Sequence, residues 1–293
     1  MSKPVSRERL AEITGRTDVG EKASAARVYS YALGGQHWFA VDKAFVEEQV
    51  AANPDYIHIL RSNRSAVGRV VEYAYREHGI TQFVDIGSGL PSDGNVHEVA
   101  DEIADGECTV AYVDNEKIAV AHSEILLADS ADVNRHHAVY ANFLDAEQLW
   151  ELVMDRQIIR PDQPICLMLM ALVHFIPDEA GPENALAYYR EVLPRGSLLA
   201  ISHIVFEEPT DPDEEDQAVL ARWRDTVQAY TKTTTAAHFR TRERIRGFLG
   251  DFEVVQEPEW TSHWRLPDVS VLPKEYQAKP WRSQVVVEVG KKH

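Results

Sequence analysis

The stretch FVDIGSGLPSDGN, residues 83–95, combines an acidic side chain with a glycine turn. A strand-like run contains Asp85, Gly87 and Gly89 follow it, and a helical pattern begins after Asn95. Backbone N–H groups at the start of a helix favour carboxylates and phosphates. Asp85, however, stands two residues before the first glycine, where its carboxylate would repel a pyrophosphate and attract an ammonium group. The stretch therefore predicts a ligand that carries a cationic ammonium group.

Two common nucleotide-binding motifs fit this turn poorly. A dinucleotide fingerprint requires G-x-G-x-x-G, with an acidic residue about 20 residues later. Gly87 and Gly89 match it, but Ser92 occupies the place of the third glycine. A P-loop is excluded because no G-K-[ST] follows the turn. Binding of NAD remains a weaker alternative.

Short β-rich runs alternate with helical patterns from residue 82 onward. This alternation predicts an α/β fold with a doubly wound, mostly parallel sheet that is covered by helices on both faces. The nearly continuous apolar run 165–173 fits a central strand that is buried on both sides. The predicted strands are QFVDIG, CTVAYVD, AVYANF, ICLMLMALV, SLLAISHIVF, FEVVQE and QVVVEV.

The chain outside these runs is rich in helical patterns. We expect residues 1–80 to form an N-terminal helical extension or lid, with helices around AARVYSYAL, DKAFVEEQVA and RSAVGRVVEYAYREHG. Residues 81–293 are predicted to form the ligand-binding domain, with a helical insertion at about 207–245. The insertion contains AVLARWRDTVQAY and the Thr-rich TKTTTAAHF.

Composition and charge exclude several classes of partner. Thirty Lys and Arg against 47 Asp and Glu give a formal charge of −17, which argues against a nucleic-acid substrate. The N-terminal residues lack the apolar stretch of a signal peptide, and the longest apolar run is too short to span a bilayer, so we expect a cytoplasmic protein without membrane contact. Cys108 and Cys166 lie in strand-like runs and are expected to be reduced core residues.

The ordered set of motifs resembles the class I S-adenosylmethionine (SAM)-dependent methyltransferases. D-I-G-S-G is similar to the glycine motif of that family, and AYVDN, YANFLD, ALVHFIPD and EVLPRGSLLAIS match its later elements in order. Together with ARVYSYALGGQHWFAVD, the set resembles, over nearly the whole chain, an actinobacterial family of SAM-dependent methyltransferase-like proteins whose substrates are mostly unassigned. The resemblance implies a seven-stranded Rossmann-like sheet, with SAM as cofactor and S-adenosylhomocysteine as product.

The resemblance also implies which residues bind the cofactor. Asp85 would hold the ammonium group, Asp114 the ribose hydroxyls, and Asn142 with Phe143 the adenine. Arg64 would pair with the methionine carboxylate, although an ordinary surface arginine is an alternative. The further residues implied by the matching motifs are Tyr29, Gly35, Gly87, Ser88, Gly89, Asn115, Ala171 and Leu172.

Two positions depart from the common class I pattern. Pro91 stands where many members have another glycine, which makes the entry into the helix stiffer. Asn142 stands where an aspartate commonly accepts a hydrogen bond from the adenine amino group. The amide oxygen of Asn142 still accepts that bond, but without a charge.

Two histidines are candidates for a general base. His174 follows the buried fourth strand at the edge where ligands bind in open α/β sheets, although a histidine hydrogen-bonded in the interior is an equal alternative. His37 lies in YALGGQHWF, which we interpret as part of a lid in which Tyr29, His37 and Trp38 wall the methyl-transfer site. A glycine helix stop with aromatic packing is the alternative for that segment. No metal site is predicted, because the histidines lack metal-ligand spacing.

These observations predict a SAM-dependent methyltransferase that acts on the O, N or C atom of a small molecule, in the context of secondary metabolism. One alternative is a SAM-binding protein with a regulatory or non-methylating role. A second is an NAD-dependent oxidoreductase on the same general fold. Aromatic residues of the insertion, such as Trp223 and Tyr230, are interpreted as a pocket roof, as core, or as contacts of a possible homodimer.

Overall fold

A computed structural model describes residues 20–92, 94–155 and 158–293, apart from the side chain of Ser130. Seven strands form one sheet in the order β3-β2-β1-β4-β5-β7-β6, and β7 runs antiparallel to both of its neighbours. The α/β fold and the seven predicted strands are confirmed. The strands are β1 (Gln82–Ile86), β2 (Thr109–Asp114), β3 (His136–Tyr140), β4 (Cys166–Met170), β5 (Leu198–Ile204), β6 (Glu253–Trp260) and β7 (Val285–Lys291).

Ten α-helices surround the sheet in the part of the chain described here. Short 3₁₀ turns add to them, among them Val173–Phe175, directly after β4, and Tyr230–Lys232 in the insertion. The helices are α1 (Ala25–Ala32), α2 (Ala40–Ala52), α3 (Tyr56–His78), α4 (Val96–Ala104), α5 (Lys117–Ser130), α6 (Ala146–Asp155), α7 (Pro182–Val192), α8 (Glu214–Ala229), α9 (Arg242–Gly247) and α10 (Lys274–Ala278).

The period-2 alternation of the strands divides the core into two layers. In β1, Val84 and Ile86 face one layer, which α6, α7 and α9 cover. Phe83 faces the other layer, which α3, α4 and α5 cover. β4 is buried along its whole length, as predicted for a central strand. Both faces of the sheet are therefore sealed, and the carboxyl edge of the parallel strands is left to bind ligands.

The N-terminal helices and the insertion pack against each other above that edge. Val28 of α1 and Phe45 of α2 share a buried cluster with Tyr56 and Tyr230. The Thr234 backbone N–H donates to a carbonyl of the N-terminal segment at 2.8 Å. α3 also packs on the sheet as part of the core, so this portion of the extension predicted at 1–80 is continuous with the core. Residues 1–19 of the predicted extension lie outside the described part of the chain. No helix within the described ranges is long and apolar enough to cross a membrane.

Candidate functional site

A cavity of about 370 Å³ opens at the carboxyl edge of the sheet. Its floor is formed by the ends of β1, β2, β4 and β5, and by Val285 at the start of the antiparallel β7. The first and third helices wall one side, and Trp223, Val227 and Tyr230 of the insertion close the top. The floor therefore crosses five strands, which corresponds to about 19 Å across the sheet.

The glycine turn after β1 forms one end of this cavity. Gly87 has a φ of +76°, and a Cβ atom built there would lie 2.6 Å from Cδ1 of Leu172. Gly89 also has a positive φ, and its N–H donates to Oδ2 of Asp114 at 2.8 Å. Glycine is thus required at Gly87 both by the backbone conformation and by the close approach of the β4 loop.

Asp85 lies at the base of the turn and lines the cavity. Its side chain is buried, and that burial raises the pKa of its carboxyl group to about 7, against the opposing influence of Arg64. Arg64 is held in place because its Nη2 donates to the Ser92 carbonyl at 3.1 Å and to Oδ1 of Asn95 at 3.0 Å. The helix after the turn is capped by Glu98, which accepts from the Asn95 N–H at 2.8 Å. The cap is therefore supplied by residues other than Asp85, whose carboxylate faces the ligand space.

Asp114 terminates β2 beside the same turn. Its two carboxylate oxygens accept from the backbone N–H groups of Gly89, at 2.8 Å, and of Glu116, at 2.7 Å. Burial raises the pKa of Asp114 to about 6, although these backbone donors act in the opposite direction. The carboxylate is therefore preorganised for further hydrogen bonds from a ligand diol.

The charges around the cavity match a cationic ligand at this end. Among the described lining residues, three acidic side chains stand against one basic side chain: Asp85, Asp114 and Glu116 against Arg64. A bound ammonium group would offset the cost of keeping Asp85 charged in a buried position. The acids also disfavour a pyrophosphate, which weakens the NAD alternative. The amino-acid end and the ribose of SAM fit this arrangement.

A chain of hydrogen bonds links the end of β4 to the first helix. Ala171 has a positive φ of 58°, and its N–H donates to Oγ of Ser202 at 2.8 Å. Ser202 donates to Oδ1 of Asn63 at 2.6 Å, and Nδ2 of Asn63 donates to the Tyr29 hydroxyl at 3.1 Å. Tyr29 completes the chain by donating to the Leu60 carbonyl. These bonds fix Tyr29 and the β4 loop relative to each other.

Sequence reasoning missed Asn63 and Ser202. Both are buried polar residues, and Asn63 lines the cavity. Ile59, Asn63 and Val67 recur every four residues, which places a polar side chain on the apolar face of a helix. That break in the apolar pattern is the signal from which Asn63 was detectable.

His174 lines the cavity just after β4. The residue is only 5% exposed, and its Nδ1 has no hydrogen-bond partner among the described residues. Burial, together with His203, Arg240 and His238, lowers the pKa of His174 well below its usual value. The imidazole is therefore neutral at physiological pH, with Nδ1 open to a hydrogen bond from a ligand.

Arg240 holds the loop that carries His174. Its guanidinium donates to the carbonyls of Val173, at 2.9 Å, and Ile176, at 2.7 Å. It also lies 2.9 Å from Nε2 of His203 and pairs with Asp178. Such a planar fork of donors suits simultaneous contact with several acceptors. Sequence reasoning missed Arg240, because its partners are far apart along the chain.

The structure brings most of the predicted site residues to this cavity. They are Tyr29, Arg64, Asp85, Gly87, Ser88, Gly89, Asp114, Asn115, Asn142, Phe143, Ala171, Leu172 and His174. The Asn142 amide oxygen accepts from the Leu144 N–H at 3.2 Å, so it is partly engaged by its own turn.

Two predicted residues, Gly35 and His37, do not line the cavity. The Gly35 N–H donates to the Ser30 carbonyl, and a Cβ atom at Gly35 would lie 2.5 Å from Oγ of Ser30. The glycine thus permits close packing within its own turn. The His37 ring lies 3.8 Å from the ring of His122, centroid to centroid. Trp38 lies outside the cavity as well and donates to the Gly35 carbonyl.

Comparisons with known proteins show which family this chain belongs to. The family model described as S-adenosyl methyltransferase matches residues 13–293. A DUF574 family protein from Streptomyces avermitilis has a similar crystal structure, with a TM-score of 0.80 and 28% identity over 95% of this chain and 100% of that one. A candidate methyltransferase from Thermobifida fusca gives a TM-score of 0.78 and 26% identity over 92% of this chain and 95% of the other. No curated protein matches the chain. The chain belongs to the S-adenosyl methyltransferase family, and its methyl donor is SAM.

Proposed function

We propose that the protein transfers the methyl group of SAM to a small-molecule acceptor that binds in the same cavity. The observation that carries this proposal is one continuous cavity, which begins at the glycine turn and extends past His174 to β7. A roof made by the N-terminal helices and the insertion limits the acceptor to a size that the cavity encloses. A formal charge of −17 disfavours nucleic acid as the acceptor.

The residues at the glycine turn are proposed to hold the cofactor. Asp85 accepts hydrogen bonds from the ammonium group, and Arg64 pairs with the carboxylate of the methionine end. Asp114 binds the ribose hydroxyls. Asn142 and Phe143 contact the adenine. When bound, SAM supplies a methyl group that its sulfonium has already activated.

Ser88, Gly89 and Asn115 are proposed to complete the cofactor half of the cavity, together with Ala171 and Leu172 of the β4 loop. Tyr29 closes this half from the first helix. Its hydroxyl is held by Asn63 and by the Leu60 carbonyl, so the ring has one fixed position. A fixed wall of this kind aligns the two reactants, an effect that contributes about 7–11 kcal/mol in favourable intramolecular reactions.

His174 is proposed as the group that removes a proton from the acceptor. It is neutral, it lines the cavity, and its Nδ1 lacks a partner in the described part of the chain. His37 is left out of this role because it packs on His122 outside the cavity. General-base catalysis of this kind contributes about 10²–10⁴-fold in rate. A role in secondary metabolism, where small acceptors are common substrates, is part of the same proposal.

The experiment that tests the proposal has two stages. Calorimetric titration with SAM, S-adenosylhomocysteine and NAD should show binding of the first two ligands only. Wild type and His174→Gln are then compared in a screen of small phenols, amines and carbon acids, with S-adenosylhomocysteine as the measured product. His174→Gln should keep the affinity for SAM and lose about 10²-fold or more in kcat.

His122→Gln is the matched control, since His122 is a partly buried histidine that lies outside the cavity. It should retain the kcat of wild type. Binding of NAD alone would refute the assignment of the cofactor half. Binding of SAM without product from any acceptor would favour the regulatory alternative.

A further inference from the structure

The end of the cavity opposite the glycine turn is lined by uncharged side chains. We define the apolar wall as Ile59, Phe175, Ile204, Trp223, Tyr230 and Val285, all of which line the cavity. Every charged residue among the described lining residues belongs to the other end, where Arg64 faces the acids of the glycine turn and β2. The two ends therefore differ sharply in polarity.

Strand order separates these two ends. Ile204 and Val285 are paired neighbours at the edges of β5 and β7, whereas Asp114 ends β2. Four strand spacings lie between β2 and β7 in the sheet, which corresponds to about 19 Å. Ligand groups at the apolar wall are thus beyond hydrogen-bond reach of Asp114.

The polar atoms of Trp223 and Tyr230, two aromatic residues of the apolar wall, are hydrogen-bonded to other protein groups. The Tyr230 hydroxyl lies 2.8 Å from the hydroxyl of Tyr56, and Nε1 of Trp223 donates to the Val205 carbonyl at 3.0 Å. The rings of Trp223 and Tyr230 therefore offer mainly carbon surface to a ligand. Phe175 adds a third ring, 5.7 Å from that of Tyr230. Rings in this arrangement favour the edge or the face of another aromatic ring.

His174 lies where the two ends meet and offers a polar atom that is not already engaged by a described residue. The ring of His174 lies 4.4 Å from that of Phe175, centroid to centroid, and its Nδ1 has no partner within the described ranges. A donor on the acceptor, such as a hydroxyl, would satisfy a neutral imidazole nitrogen. A charged acceptor group at the apolar wall would meet no oppositely charged side chain among the described lining residues there, so its burial would be unfavourable.

From these contacts we propose that the acceptor is an uncharged aromatic compound, with its ring against the apolar wall and its hydroxyl or other proton-bearing group toward His174. This inference rests on the proposed function, because it takes the cofactor to occupy the end with the glycine turn. It commits to a neutral, ring-bearing class of acceptor, and it excludes carboxylates, phosphates and ammonium compounds.

The test uses three bicyclic probes of the same shape and different charge. Full-length protein is first saturated with S-adenosylhomocysteine, and 2-naphthol, 2-naphthoate and protonated 2-(aminomethyl)naphthalene are then titrated by calorimetry. We expect 2-naphthol to bind at least about tenfold more tightly than either charged probe, since a tenfold ratio corresponds to about 1.4 kcal/mol. Equal or tighter binding of a charged probe would overturn the inference, and so would the failure of all three to bind.

A variant that introduces a negative charge into the cavity tests the same inference by changing the protein. Ala237 lines the cavity beside the apolar wall and is partly exposed, and circular dichroism is used to confirm that Ala237→Asp is folded before it is titrated. This variant should bind the ammonium probe at least about tenfold more tightly than wild type does. Ala236→Asp is the matched control, because Ala236 is the chain neighbour but does not line the cavity. Identical probe affinities in both variants and wild type would contradict the inference.

Loss of the proposed function is distinguishable from loss of this inference. If S-adenosylhomocysteine itself fails to bind, the cofactor half is wrongly assigned and the proposed function falls. If S-adenosylhomocysteine binds and the probes show the wrong charge preference, only the class of acceptor is overturned.

Discussion

The hydroxyl groups of Tyr56 and Tyr230 lie 2.8 Å apart and join the third helix to the insertion. Both residues are buried and lie at positions far apart in the sequence. Burial raises the pKa of both hydroxyls, so each stays protonated. The pair thus contributes one neutral hydrogen bond between the roof of the cavity and its wall.

A double-mutant cycle on this pair should show strong coupling. Tyr230→Phe leaves the Tyr56 hydroxyl buried without its partner, so we expect a loss of about 1–3 kcal/mol in the free energy of unfolding. Tyr56→Phe should cost a similar amount. The double variant should cost clearly less than the sum, because no unpaired hydroxyl remains. Urea unfolding of the four proteins measures these values, and strict additivity would show that the two hydroxyls do not interact.

Replacement of Asp85 should change stability and cofactor affinity in opposite directions. The pKa of this carboxyl group is about 7 in the folded protein and about 3.9 in an unfolded chain. The folded protein therefore binds this proton more tightly, and its stability falls as pH rises from about 4 to 7. Asp85→Asn should raise the free energy of unfolding at pH 8 by roughly 2–4 kcal/mol.

The same variant should bind SAM about 10–100-fold more weakly, because it loses a charge-assisted hydrogen bond. In wild type the affinity should rise between pH 6 and 7.5 as Asp85 ionises, and this slope should largely disappear in the variant. Thermal unfolding and calorimetry at several pH values provide both readouts. Asp129→Asn, at an exposed position of α5, serves as the control and should change neither. A variant that is both less stable and equally able to bind SAM would contradict the assignment.

Asp114 is expected to act on the shape of the turn as well as on the ligand. Asp114→Ala removes the acceptor for the N–H groups of Gly89 and Glu116. We expect the affinity for both SAM and S-adenosylhomocysteine to fall about 100-fold or more. Asp114→Asn keeps one acceptor oxygen and should lose less. Calorimetric titration of the two variants distinguishes these outcomes, and an unchanged affinity in Asp114→Ala would refute the role.

We expect Arg240 to act as a positioning residue, because it binds the loop that carries His174. Arg240→Lys loses the fork that binds the carbonyls of Val173 and Ile176. We expect Tm to fall by about 4–6 °C. At a temperature where the variant is fully folded, kcat should fall while the affinity for SAM stays within about threefold of wild type.

Arg135→Lys provides the control for this variant. Arg135 pairs with Asp101 and Asp132 and donates to the Cys108 carbonyl, outside the cavity. Its replacement should lower Tm in the same way and leave kcat unchanged. Equal losses of kcat in the two variants would mean that Arg240 only stabilises the fold.

Sequence patterns located the sheet because its signals are local. The period-2 strands, the glycine turn at Gly87 and the acid at the end of β2 each occupy a few consecutive residues. The position of His37 is not determined by a local signal. It depends on how the turn at Gly34 and Gly35 directs the chain toward His122, which lies 85 residues further along the sequence. The bonds of Arg240 likewise connect distant loops, and no local pattern encodes them.

The residues of the apolar wall are spread along most of the chain. Ile59 precedes the first strand, and Val285 begins the last strand. The glycine turn and Asp114, by contrast, are complete once the second strand has been synthesised. During translation, the apolar wall can therefore form only after Val285 has been synthesised, whereas the remaining residues at the glycine-turn end, such as Asn142 and Leu172, are made earlier. The apolar wall is thus among the last parts of the cavity to be completed, because it depends on the contact between β5 and β7.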